Sequence, residues 1–93
     1  MPSVPPLPHL VLYARPGCHL CDEARQSIEA VLADRSSRSL PVPPLRERNI
    51  DEDEALQRLL MERIPVVELE GRRIELIVSV GKLRRLLTEV LDG

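Results

Sequence analysis

An α/β domain of order β-α-β-α-β-β-α, with a four-stranded mixed sheet and helices on both faces, is the fold class the sequence predicts. Three observations lead there. Short apolar runs bounded by turn residues occur at HLVLYA and within IPVVELEGRRIELIV. Amphipathic stretches of helical spacing lie between and after them. The first two strands are joined by a crossover segment, which makes them parallel, whereas a Glu-Gly turn makes the last two an antiparallel hairpin. At 93 residues the chain is one domain, able to bury roughly 60 to 65 per cent of its unfolded surface and therefore compact.

The elements follow in order. Residues 1–8 hold four prolines, so a polyproline II leader without function is expected, with the domain itself spanning residues 9–93. This start shows no basic region followed by an apolar core, and no run approaches the length of a membrane span, so the expected location is cytoplasmic. His9 to Ala14 reads as a buried strand stopped by Arg15, Pro16 and Gly17. Cys21, Ala24, Ile28, Val31 and Leu32 then fall on one helical stripe. Arg35 to Pro44, RSSRSLPVPP, reads as a loop and the most mobile segment. LRERNID holds a charged strand suited to a sheet edge. Asp51 with Glu54 resembles a capping box for a short helix using Ala55, Leu56, Leu59 and Leu60, up to about Met61. Strands are expected at Val66 to Leu69 and Arg73 to Val78, around a Glu70-Gly71 turn in which glycine supplies positive φ. Ser79 can cap a last helix with Val80, Leu83, Leu87, Val90 and Leu91 inward and Arg84 and Arg85 outward.

Composition narrows the function classes. There is no Phe or Trp and a single Tyr, so the core is aliphatic and no aromatic platform exists for stacking bases. Thirteen basic side chains are scattered among 15 acids, so no uniform field draws in nucleic acid or an anionic membrane. Neither is an expected partner.

The chemistry concentrates in ARPGCHLCDEA, which holds the only two cysteines, Cys18 and Cys21. Residues three apart at a helix start are neighbours, so the sulfurs can bond without unfolding anything. Unpaired N–H groups and the positive end of the helix dipole favour a thiolate at Cys18, which is therefore the expected nucleophile. Arg15 and His19 can add positive potential. Cys21, on the buried stripe, acts second by displacing the product from a mixed disulfide.

Two other readings of the pair stand beside exchange. A structural disulfide closing so short a loop constrains the unfolded chain little, and a cytoplasm would reduce it. A structural zinc site needs four ligands, yet only His9 and His19 supplement the cysteines, and His19 sits inside the pair. No metal is expected.

On these residues the chain resembles the glutaredoxin-like members of the thioredoxin superfamily, from His9 to Leu91. LYARPGCHLCDEA is similar to the small group whose active-site turn reads RPGCHLC, and NIDEDEAL and RIPVVELEG are similar as well. The resemblance implies a thioredoxin-like fold and a thiol-disulfide oxidoreductase with Cys18 attacking and Cys21 resolving. It also implies a cis peptide at Ile64-Pro65 facing the cysteines, with the Ile64 N–H and C=O free to pair with an extended substrate. A trans proline that merely ends the second helix is the alternative. Arg15 matches a basic residue that contacts a glutathione carboxylate, and Ile64 matches the residue before the cis proline. Where glutaredoxins carry Gly-Gly and paired Asp residues near the last helix, this chain reads VSVGKL, with Lys82 placing a positive charge where an acid would hold the glutathione amino group.

The expectations are therefore a monomeric dithiol oxidoreductase without bound cofactor, acting on a protein or small-molecule disulfide. It would draw electrons from an external thiol reductant, either glutathione or a thioredoxin reductase-like donor. Arg15, His19, Ile64 and Pro65 would contact substrate. A non-catalytic adaptor of the same fold and an iron-sulfur carrier are the alternative functions.

Overall fold

A computed structural model describes residues 6–92 of the chain. The leader expected at residues 1–8 lies outside the described residues up to residue 5, and residues 6–9 have no regular structure. The elements are β1 (Leu10–Ala14), α1 (His19–Ser37), β2 (Leu45–Asn49), a 3₁₀ turn (Ile50–Glu52), α2 (Glu54–Leu60), β3 (Val66–Leu69), β4 (Arg72–Glu75), α3 (Val80–Leu87) and a π-helical turn (Thr88–Asp92). The sheet order is β2-β1-β3-β4. β1 pairs with β2 in parallel and with β3 antiparallel, and β3 and β4 form the hairpin. The predicted mixed sheet is present, with the charged strand β2 at its edge.

Register and ion pairs show which helix covers which face. Leu12 pairs with Glu47 on one side and Val67 on the other, so these three project to the same face. Arg25 of α1 donates from Nε to Glu47 at 2.8 Å. Arg72, opposite Leu69 on that face, meets Glu89 just beyond α3. Both α1 and α3 therefore lie over the Leu12 face. The alternate face carries Tyr13, Val66 and Arg48, and Arg48 lies 3.7 Å from Asp53 at the start of α2. That places α2 opposite. The aliphatic core joins Leu10, Leu12, Val67 and Leu69 of the sheet to Ala24, Ile28 and Val31 of α1 and Leu83, Leu86 and Leu87 of α3.

Four sequence expectations need correction. Arg35, Ser36 and Ser37 are helical rather than part of a loop. The reason is tertiary: Arg35 is buried, donates from Nε to the Pro41 carbonyl at 2.7 Å, and grips Asp92 with two further bonds of 2.7 and 3.1 Å. The cap of α2 is Asp53, whose carboxylate accepts from Ala55 and Leu56 N–H at 3.0 and 3.2 Å, while Asn49 caps the preceding 3₁₀ turn. In α2 itself Ala55 and Leu59 are exposed, Leu56 is half-buried and Leu60 alone is fully buried, because seven residues present too short a stripe to bury the whole expected face. Finally, β4 ends at Glu75, since Leu76 takes φ 64° and turns the chain out of the sheet.

Candidate active site

The pair forms where β1 stops. Pro16 and Gly17 turn the chain, with Gly17 at φ 77°, in the left-handed region open to glycine. Cys18 then serves as N-cap of α1 with extended backbone angles (φ −93°, ψ 107°), and its Sγ accepts the Cys21 N–H at 3.1 Å. A sulfur takes the position that Ser or Asp oxygens usually fill at a helix start. The two sulfurs close a disulfide with Cα atoms 5.2 Å apart. Cys18 is half-buried, whereas Cys21 has no exposed surface and belongs to the core. Cys21 is thus enclosed, as its place on the buried stripe of α1 predicts, and Cys18 is the more accessible of the two.

The proline comes to the same end of the sheet. Tyr13 pairs with Val66 and Val66 with Glu75, so the end of β1, the start of β3 and the end of β4 lie together where α1 begins. The Ile64–Pro65 peptide is cis, and both residues are buried. One expectation fails here. The Ile64 N–H already donates to the Leu60 carbonyl at 3.0 Å, closing the last turn of α2, so only the C=O of Ile64 stays available to a substrate backbone. Pro65 in turn accepts the Leu76 N–H at 2.9 Å. Leu76 and Ile77, assigned to a strand by sequence, are thus brought beside the proline and exposed, Ile77 at 66 %.

The predicted cations are present but balanced. Arg15 is 3.1 Å from Asp51, and His19 Nε2 is 3.5 Å from Glu23 while 88 % exposed. Neither adds uncompensated positive charge beside Cys18, so the helix terminus itself is the main favourable influence on a thiolate. Lys82 sends its Nζ to the Ile77 carbonyl at 3.2 Å, at the same end of the domain. A cavity of about 300 Å³ opens between the ends of β1 and β2, lined in part by Arg15, Pro16, Asp22 and Arg25. It lies where the two parallel strands send their connections to opposite faces, the usual crevice of such sheets. Arg25 is locked there, its pKa raised by hydrogen bonds to Glu47 and then Asp22. No cluster of His, Cys, Asp and Glu suited to a metal ion occurs among the described residues.

From sequence Asp51 has only a capping role and Leu76 and Ile77 only places in a strand, so their contacts at this end of the domain went unpredicted. The apolar triplet Leu76-Ile77-Val78 breaks the alternation of a half-exposed strand, and that was the available signal.

A cysteine pair opening the first helix, with a cis-proline at the head of the antiparallel strand beside it, is the arrangement of the thioredoxin fold. Solved structures agree. A structural genomics target protein from X. campestris, determined by X-ray methods, is 30% identical with a TM-score of 0.71, covering 86% of this chain and 96% of that one. A protein from Nitrosomonas europaea, solved by NMR, is 27% identical with a TM-score of 0.67 over 92% and 98%. The germline-specific thioredoxin Deadhead of Drosophila melanogaster shares the fold at 17% identity and a TM-score of 0.60, over 90% and 81%. Residues 9–88 match the model of the Glutaredoxin-like domain (DUF836), and the chain belongs to that family. No curated protein matches it.

Proposed function

We propose that the protein is a dithiol thiol-disulfide oxidoreductase. The observation that carries this reading is the unequal setting of the pair: the Cys18 sulfur accepts a backbone N–H at a helix start, while Cys21 is wholly enclosed. In the reduced protein the Cys18 thiolate attacks one sulfur of a substrate disulfide. A Cys18–substrate bond forms, and the departing thiolate takes a proton from water. Cys21 then loses its proton and attacks Cys18 Sγ, closing the internal disulfide and releasing the second substrate thiol. The substrate gains two electrons and the cysteine pair loses them. Two external thiols, such as two glutathiones, or the dithiol of a reductase of the thioredoxin reductase type, then restore the pair. The first thiolate attacks Cys18 Sγ and frees Cys21, and the second attacks the reductant's sulfur in that mixed disulfide, releasing Cys18 and leaving as the oxidised disulfide. Substrates are protein or small-molecule disulfides, with the Ile64 C=O and the apolar Leu76 and Ile77 beside the proline as contacts. No helix among the described residues is long and apolar enough to cross a membrane.

The test is exchange with a small neutral disulfide, followed in stopped flow with single-cysteine variants. Cys18→Ser abolishes the first step. Cys21→Ser retains it and accumulates a mixed disulfide visible by mass spectrometry. Equal loss of the first step in both variants would contradict the assigned roles.

A further inference from the structure

The charge of this chain is segregated in a way its overall value hides. Residues 72–87 carry five of the 13 basic side chains and one of the 15 acids, net +4, which leaves −6 on the remainder. Four of those cations, Arg72, Arg73, Lys82 and Arg85, line a single groove of about 170 Å³ between β4 and α3. Ile74 and Leu86 are its apolar lining and Glu89 its one acid, against four cations. Arg72 and Arg73 have carboxylate partners, Glu89 and Glu68. Lys82 and Arg85 do not: with Arg46, they are the cations that have no side-chain carboxylate within 4.0 Å among the described residues. Three residues apart on α3, they project along one helical stripe.

Two further features set the occupant. β4 is a terminal strand of the sheet, so among the described residues its outer edge has no partner strand and can accept an extended segment. One lining residue ties the groove to the redox end of the sheet: Lys82 Nζ holds the Ile77 carbonyl, and Leu76, next in the chain, donates to the Pro65 carbonyl. We infer that the β4–α3 groove docks an extended acidic segment of the protein whose disulfide Cys18 attacks. Apolar residues near the partner's disulfide lie on Leu76 and Ile77, and its acidic side chains, at alternate positions of a strand, meet Lys82 and Arg85. The identity of this partner as the disulfide substrate rests on the oxidoreductase reading, whereas the groove's preference for acidic peptide does not.

The experiment separates the two. A fluorescent, cysteine-free extended peptide with Glu at alternate positions is titrated by anisotropy against the full chain, alongside its Lys counterpart. The acidic peptide binds and the basic one does not. Arg85→Glu weakens binding about fivefold, the scale of an exposed charge contact, and added salt weakens it further. Arg46→Glu, on the opposite sheet edge, leaves it unchanged. Equal binding of both peptides, an equal loss in Arg46→Glu, tighter binding of a single-stranded oligonucleotide, or a dimer that Arg85→Glu dissolves would overturn the groove assignment. In parallel, a small neutral disulfide exchanges at the same rate with the unsubstituted chain and Arg85→Glu. The acidic peptide extended by a disulfide-bonded cysteine exchanges faster than its Lys counterpart, and that advantage is lost in Arg85→Glu. Acidic binding without any exchange overturns the oxidoreductase reading and the substrate assignment while leaving the groove's preference intact.

Discussion

Arg15 and Asp51 meet at 3.1 Å, tying the turn that precedes Cys18 to the 3₁₀ turn after β2. Asp51 also accepts from Gln57 Nε2 at 3.3 Å, but it does not cap α2, a task that belongs to Asp53. Its negative charge can therefore be removed without disturbing the helix. Asp51→Asn leaves Arg15 free to attract an anionic substrate, and exchange with glutathione disulfide rises about two- to fivefold, the scale of one exposed ion pair. The gain disappears at high ionic strength, and a neutral disulfide shows none. Rate measurements with both disulfides at low and high salt check this; an equal gain for both would show that Arg15 is not the cause.

The burial contrast between the cysteines sets their reactivity. In Cys21→Ser the backbone N–H that reaches Cys18 Sγ is retained, so Cys18 keeps its helix-start environment. Alkylation by iodoacetamide at pH 7 then proceeds about tenfold faster than for an unperturbed thiol. In Cys18→Ser the remaining Cys21, with no exposed surface, reacts far more slowly than that reference until the protein is denatured. Similar native rates for the two variants would remove the kinetic basis of the proposed order of attack.

Arg35 and Asp92 link the end of α1 to the last described turn through two hydrogen bonds, and their exposures differ, 5 % against 25 % for the side chains. Asp92→Ala strands a guanidinium that is enclosed and left with only the Pro41 carbonyl, whereas Arg35→Met leaves a carboxylate that water can reach. Asp92→Ala is therefore the more destabilising of the two in urea unfolding at neutral pH. The hydrogen bond from Arg35 lowers the Asp92 pKa from its ordinary 3.8. A depressed carboxylate contributes its stability above the unfolded value and loses it as pH falls through the folded one. The unsubstituted chain thus loses this contribution on acidification below about pH 4, and Asp92→Asn lacks that part of the acid limb.

Most of the scaffold was legible because its signals are local. Alternation and turn residues placed β3 at Val66 and the hairpin at Glu70-Gly71, and a serine before an amphipathic stretch placed the start of α3. The cysteine pair was legible for the same reason, since a Cys-x-x-Cys following a strand and opening a helix fixes its own geometry. What sequence could not supply was pairing at long range. The partner of Arg35 is 57 residues away, so a segment of Ser and Arg reads as a loop although tertiary contact makes it helix. In NIDEDEAL two aspartates, Asp51 and Asp53, compete to cap α2, and spacing alone does not tell that Asp51 is taken by Arg15. The turn-out at Leu76 was hidden by the apolar triplet that follows β4, because burial rather than propensity decides whether such a run stays in a sheet.

The hairpin turn supplies the last test. Glu70 and Gly71 both have positive φ, 49° and 79°, the geometry of a two-residue turn whose twist matches that of β3 and β4. Glycine adopts it freely, but glutamate pays for its Cβ by about 1 kcal/mol, and Asn tolerates the same region better. Glu70→Asn, which makes the favoured Asn-Gly turn, stabilises the domain by about 0.5 to 1 kcal/mol. Gly71→Ala has open space around its new methyl, so the roughly 1 kcal/mol it costs comes from backbone conformation alone. Urea midpoints that move in opposite directions for the two variants, with unchanged slopes, are the expected result. A neutral Gly71→Ala would mean that the turn takes another geometry in solution.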